Sequence, residues 1–164
     1  MMSKFTLSIR YAIVISGLLI SYFLIISLFG WHTNPLFSLF NGVITGFGIY
    51  EVIKGYKLRE KEAFTYAKGF TTGIVTGFIA TLLFTLFFGI YAGNINPEFT
   101  DSFMGPWGSS TSLGIILFTV AIGGFATTAV FTLSFMQLFK KSWNTTKSES
   151  TPQIRSEEVA DLKK

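Results

Sequence analysis

The sequence predicts an all-α integral membrane protein built as an antiparallel four-helix bundle, and two observations carry this prediction. Of the 164 residues, 49% are hydrophobic and only 13% are charged, whereas about 25% of an average soluble protein is charged. The apolar residues are also collected into four long runs with almost no charge. Runs of about 20 apolar residues are typical of helices that cross a bilayer. This composition excludes a soluble domain and a disordered chain.

The first two predicted helices flank a short connection. The first covers about 8–30, and its charge-free run, 11–29, spans about 28 Å at 1.5 Å per residue. Such a run is longer than the 7–15 residues usual in a cleaved signal peptide, so we expect a retained helix. The second covers about 36–53. It begins after Asn34-Pro35, a helix-start signal, and its only charged residue is Glu51.

The third and fourth helices complete the transmembrane domain, which we assign to residues 1–142. The third covers about 64–92, and the sequence is charge-free between Gly69 and Pro97. The fourth covers about 110–140 and is uncharged as far as Phe139. Residues 143–164 are rich in Ser, Thr, Lys and Glu without an apolar period, which predicts a flexible cytoplasmic tail.

The positions of the basic residues predict the orientation of the bundle. All 13 Lys and Arg residues lie before the first apolar run, between the second and third runs, or after the fourth. The other two connections contain none. Because cytoplasmic loops are enriched in Lys and Arg, this pattern predicts four crossings with both termini in the cytoplasm.

Glycines on the third helix predict close helix packing. Helices in a bilayer associate through close contact and polar interactions, because lipid solvates apolar side chains well. The glycines share one four-residue register: Gly69, Gly73, Gly77, Gly89 and Gly93. Four residues advance a helix by about 400°, so the row drifts by about 40° per step. We therefore expect the cytoplasmic glycines of the row to meet one neighbouring helix and the outer glycines another.

Complementary small residues occur on the other helices. The predicted packing positions are Gly42 and Gly46 on the second helix and Gly123 and Gly124 on the fourth. The surrounding threonine hydroxyls can bond to backbone carbonyls of their own helix and need not line a pore. The threonines concerned are Thr71, Thr72, Thr76, Thr127, Thr128 and Thr132.

Ionisable groups are scarce within the apolar segments. Glu51 and Lys68 lie near the cytoplasmic ends of their helices, and we expect them to pair at similar depth. No carboxylate lies at a midplane, which argues against a proton-driven exchanger. The chain has no Cys, and its one His is His32, so neither a nucleophile–base pair nor a metal site is predicted. We therefore predict no enzymatic activity, no cofactor and no nucleic-acid partner.

Several short stretches resemble a known family. They are Ala63-Phe64 with Lys68-Gly69-Phe70, Gly73 and Gly77, the exit 96–99, and Gly123-Gly124 ahead of Lys140-Lys141. Together they are similar to an uncharacterised bacterial family of four-helix membrane proteins, domain of unknown function 4199, over the chain up to about Lys141. The resemblance implies a location in the bacterial inner membrane and supplies no catalytic residue.

Two classes of function remain open. The first is a structural or interaction protein of the lipid bilayer, which associates with its own copies or acts as an accessory subunit of another membrane protein. The alternative is a small permease or channel for a small solute. It would have to be oligomeric, because four helices rarely enclose a path. A permease should show a continuous inward-facing file of polar side chains through the midplane.

The predicted orientation can be tested with reporter fusions. We expect green fluorescent protein fused to either terminus to fluoresce, and alkaline phosphatase fused at the same positions to stay inactive, because both termini lie in the cytoplasm. Active phosphatase at either terminus would contradict the topology.

Overall fold

The computed structural model describes residues 4–31, 35–95 and 112–139. These residues form four helices, α1 (Lys4–Leu28), α2 (Pro35–Glu60), α3 (Tyr66–Ile90) and α4 (Leu113–Leu138). A 3-10 turn, Lys61–Ala63, joins α2 to α3, and a π-helical turn, Tyr91–Ile95, extends α3. The described parts of the chain contain no strand, which confirms the predicted all-α fold. His32, the predicted exit at 96–99 and the tail 143–164 lie outside the described residues.

Local backbone chemistry sets the helix ends. After α1, Gly30 has a φ of +70°, a left-handed conformation that glycine adopts without steric cost. Its N–H donates to the Ser27 carbonyl at 3.0 Å. Pro35 occupies the first turn of α2, where its missing N–H costs nothing. Ser112 is extended before α4, and its carbonyl accepts the N–H of Ile115 at 3.0 Å.

α2 continues beyond its apolar run, through residues that the sequence assigns to the cytoplasmic connection. The helix ends at Glu60 rather than near Ile53. The added segment, 54–60, contains Lys, Leu, Arg and Glu, which are good helix formers. Lys57 and Arg59 also lie in the last turn, where positive charge interacts favourably with the helix dipole. The end of the apolar run therefore does not mark the end of the helix.

The four helices form a ring in the order α1, α2, α4, α3. α1 and α3 run parallel, since Ser8 and Thr72 line one cavity at one end and the Ser27 hydroxyl bonds to the Tyr91 hydroxyl at the other. α2 and α4 also run parallel, because α2 residues 46 and 50 contact α4 residues 131 and 135. Consecutive helices are antiparallel. α2 and α3 also pack across the centre, whereas α1 and α4 lie at opposite corners.

Three apolar clusters fill the interior along the bundle axis. The first cluster, at the end of the bundle that contains the α2–α3 turn, surrounds Ile53, Tyr56 and Met136. The middle cluster joins Ala12 and Ile15 of α1 to α3. In the third cluster, at the opposite end of the bundle, Phe23 meets the rings of Phe84, Phe87, Phe88 and Tyr91 edge to face, with ring centroids 5.0–6.3 Å apart. α3 contributes to or packs against all three clusters, so it is the central helix of the bundle.

Three helices of the described chain are long and apolar enough to cross a membrane. They cover Phe5–Leu28, Tyr66–Ile95 and Leu113–Leu138. α2 is not among these three, so the fourth predicted crossing stays a prediction. Only 11% of the 18-residue apolar stretch of α4 is buried inside the bundle, against 33% of the corresponding stretch in each of the other two helices. α4 is therefore the most peripheral of the three spans.

Candidate functional site

The closest helix contact in the region of the predicted glycine row is the one between α3 and α4. A Cβ added to Gly73 would lie 2.7 Å from Cγ2 of Thr132, and one added to Gly77 would lie 2.9 Å from Cβ of Thr128. At the third contact the glycine is on α4 and the threonine on α3: a Cβ on Gly124 would lie 2.5 Å from Cγ2 of Thr81. Real Cβ atoms essentially never approach other atoms this closely. We call these three Gly–Thr contacts the α3–α4 seam.

Both ends of the glycine row contact α4 as well. A Cβ on Gly69 would lie 2.9 Å from the Met136 sulfur, and one on Gly89 would lie 3.1 Å from a methyl group of Leu117. Gly93 faces Leu113 at 3.3 Å. The prediction that the two ends meet different helices is therefore wrong. The reason lies on α4, where 124, 128, 132 and 136 also repeat every fourth residue. Two rows that rotate around their helices by the same angle at each step stay in contact if the helices wrap around each other.

The other predicted packing glycines divide into close and open positions. A Cβ on Gly46 would lie 3.0 Å from the ring of Phe131, so this glycine does permit a close approach. A Cβ on Gly42 or Gly123 would meet nothing within 4 Å, so neither glycine is required for a close approach in the described chain. Gly48 was not predicted, yet a Cβ there would lie 2.5 Å from Cδ1 of Ile15. Gly48 falls outside the four-residue register of Gly42 and Gly46, so that register gave no signal for it.

A second row of small residues packs α1 against α3, and the sequence reasoning missed it because it looked for packing positions on the second, third and fourth helices only. Small residues occur every fourth position on both helices, and all are buried. Ala12 and Ala80 belong to the same cluster, and Ser8 lines a cavity with Thr72. The signal was present as a serine, alanine and threonine spacing. The members are Ser8, Ala12 and Ser16 on α1 and Thr72, Thr76 and Ala80 on α3.

Most of the threonine hydroxyls behave as expected. Thr71, Thr72, Thr76 and Thr127 each donate to the carbonyl four residues earlier, at 2.7–2.8 Å. Thr128 and Thr132 do not, since their buried hydroxyl oxygens make no hydrogen bond within the described chain. Both oxygens face the seam glycines instead. Three more buried polar atoms make no hydrogen bond within the described chain, and they belong to Asn41, Tyr56 and Thr85.

Glu51 and Lys68 do not pair with each other. Glu51 lies 3.4 Å from Lys54 on its own helix. The Lys68 ammonium lies 3.4 Å from Glu60 and donates to the Ala63 carbonyl at 3.0 Å. The contact of Ile53 with the Gly73 position sets the α2–α3 register and brings Lys68 level with about residue 58. Glu51 therefore lies about two turns deeper than Lys68, too far for the predicted pair.

The extension of α2 also binds the end of α4. The Lys57 ammonium lies 5.0 Å from the centre of the Phe139 ring and donates to the Phe139 carbonyl at 3.5 Å. This places a cation at the negative end of the α4 dipole. Beside it, burial raises the pKa of the Tyr56 phenol, and the Glu60 carboxylate raises it further. Tyr56 is therefore neutral at physiological pH.

The arrangement of these residues supports helix association more directly than it supports chemistry. Within 4–31, 35–95 and 112–139, no three His, Asp or Glu side chains come together to hold a metal ion. The charged pairs lie near the α2–α3 turn, and the described residues in the middle of the bundle provide hydroxyls and apolar groups.

Comparison with known proteins adds a family and no activity. The family model described as a protein of unknown function, DUF4199, matches residues 10–105. No curated protein and no solved structure gives a significant match. The matched range includes most of α1 and all of α2 and α3, and it ends before α4.

The seam predicts different effects of two alanine substitutions on the stability of the bundle. Gly77→Ala should lower the stability of the bundle by about 1–3 kcal/mol, because the new methyl group overlaps Thr128. Gly123→Ala is the control. Its Cβ meets nothing within 4 Å, so it should leave stability unchanged or raise it, since alanine is the better helix former. Thermal unfolding in detergent measures both, and equal midpoints for the two variants would contradict the importance of the seam.

Proposed function

Because the chain belongs to the DUF4199 family, whose function is unknown, its role has to be argued from its own residues. We propose that it is a multi-pass protein of the bacterial inner membrane, with a structural or interaction role rather than an enzymatic one. In this role it associates, through helix faces that lie within the bilayer, with copies of itself or with another membrane protein as its accessory subunit.

The charge pattern supports the proposed orientation. All 13 Lys and Arg residues fall on one side if the four helices cross and both termini lie in the cytoplasm. In the described chain, Lys54, Lys57 and Lys68 are close to the α2–α3 turn or to the end of α4, so they share one end of the bundle. α2 contributes the fourth crossing in this scheme, and its charged extension would lie at the headgroup level.

The observation that carries the proposal is the large exposed apolar face of α4. Only 11% of its 18-residue apolar stretch is buried, although α4 packs closely against α3 at the seam. The exposed side chains include Phe118, Val130 and Leu138. Gly123 opens onto free space on the same helix, and an open glycine allows another backbone to approach closely. A helix this peripheral has most of its surface available to a partner.

Single cysteines test the face, since the chain contains no cysteine of its own. We expect Val130→Cys to crosslink in membranes several times more efficiently than Val14→Cys. Both valines are similarly exposed, at 61% and 58%, and the helix registers place them within about one turn of the same depth. Mass spectrometry of the crosslinked product identifies the partner.

Comparing the crosslinking of the two cysteine variants distinguishes a specific contact from random collision. Equal crosslinking of the two variants, or none at either position, would contradict a preferred interface on α4.

One observation favours the alternative, a small oligomeric permease or channel. Five buried polar atoms without hydrogen bonds in the described chain are spread along the bundle axis. The α2–α3 and α3–α4 registers place Tyr56 and Thr132 nearest the cytoplasmic end, Thr128 further in, and Asn41 with Thr85 in the outer half. This order resembles the polar file that a permease needs, although Thr128 and Thr132 are packed against glycines.

Osmotic swelling of reconstituted vesicles distinguishes the two functions. We expect vesicles containing the protein to swell in glycerol or urea at the rate of protein-free vesicles, because the seam leaves no room beside Thr128. Faster swelling that Thr128→Val reduces would favour the permease, since valine keeps the shape of threonine and removes its hydroxyl.

A further inference from the structure

A cavity of about 340 Å³ lies between the cytoplasmic ends of α1 and α3. Phe5 and Val75 provide apolar walls, and Ser8, Lys68 and Thr72 provide polar groups. Phe5 is 63% exposed, so the cavity opens on the outer surface of the bundle and not toward its centre. A cavity with an apolar wall and a cation at its edge suits an amphipathic, negatively charged molecule.

The Ser8 side chain gives the cavity a hydroxyl group. Ser8 is only 3% exposed overall, and it lines the cavity beside Thr71 and Thr72. The two threonine hydroxyls donate to carbonyls of α3. A serine hydroxyl has one donor and two acceptor sites, so Ser8 can donate to a ligand oxygen in the cavity.

Lys68 supplies the charge. Its ammonium has three donors, of which Glu60 and the Ala63 carbonyl accept two. The third remains for a ligand, and the side chain is 35% exposed. The first turn of α3 adds to the attraction, because Thr65 makes no side-chain capping bond and uncapped N–H groups favour anions.

The position of the cavity indicates which anion would reach it. Lys68 lies within the first turn of α3, at the start of the span Tyr66–Ile95, which is the depth of lipid headgroups. We propose that the cavity binds the phosphate of an anionic phospholipid, with Lys68 and Ser8 as donors and the start of the lipid tails against Phe5 and Val75. This site is independent of the interaction face on α4.

Native mass spectrometry of the purified full-length protein in detergent tests the site. Dioleoyl phosphatidylglycerol, dioleoyl phosphatidylcholine and inorganic phosphate are added separately, and then phosphate in competition with phosphatidylglycerol. We expect the protein to retain phosphatidylglycerol in preference to phosphatidylcholine, and excess phosphate not to displace it. Lys68→Gln should weaken retention by about tenfold, which corresponds to the loss of one charge-assisted hydrogen bond. Lys68→Arg should preserve retention.

Lys54→Gln is the matched control. Lys54 also pairs with a carboxylate at 3.4 Å and is partly exposed, but it does not line the cavity, so its loss should leave retention unchanged. Ala67→Trp fills the cavity from an exposed position of α3 and should abolish retention without unfolding the bundle.

Three results would overturn the proposal. The first is equal retention by the wild type, Lys68→Gln and Ala67→Trp. The second is equal retention of both lipids, which would remove the role of charge. The third is displacement of phosphatidylglycerol by inorganic phosphate, which would identify free phosphate as the ligand.

Discussion

The close approach of α3 and α4 is the constraint on which the rest of the bundle depends. Gly73, Gly77 and Gly124 remove side-chain volume at three successive steps, and a threonine fills each space from the opposite helix. Lipid gives apolar side chains nearly as good an environment as a protein core does. The helices are therefore held by close packing and not by exclusion of water. Without the seam, α4 would be held mainly by its contacts with α2, because most of its surface faces outward.

α3 is central because it has small residues on two faces. One row approaches α4 and the other approaches α1, so a single helix brings both neighbours close. Larger side chains fill the end of the bundle opposite the α2–α3 turn, where Phe23 meets four rings. Small residues thus set the helix spacing, and aromatic residues fill the remaining space.

The sequence predicted the helices and the glycine row on α3, but not that α4 alone meets the whole row. Composition and run length depend on local residues only, so the all-α fold could be derived from them. The partner depends on the register between helices, which brings residues 77 and 128 together, and neither segment alone specifies that pairing. Glu51 and Lys68 illustrate the same difficulty. Each lies near the end of an apolar run, but α2 extends past its run to Glu60. The ends of the apolar runs therefore did not indicate how deep Glu51 and Lys68 lie along the bundle axis.

The threonines of the seam connect the packing with the question of a polar pathway. The hydroxyl oxygens of Thr128 and Thr132 lie 2.5 and 2.9 Å from the positions that Cβ atoms of Gly77 and Gly73 would occupy, so they face the Cα–H groups. Contacts of this kind contribute about 0.5–1 kcal/mol each. Valine would fill the same space without this contact, and alanine would leave a gap. Because the same hydroxyls belong to the polar file, a path for solutes could open there only if the α3–α4 seam separated.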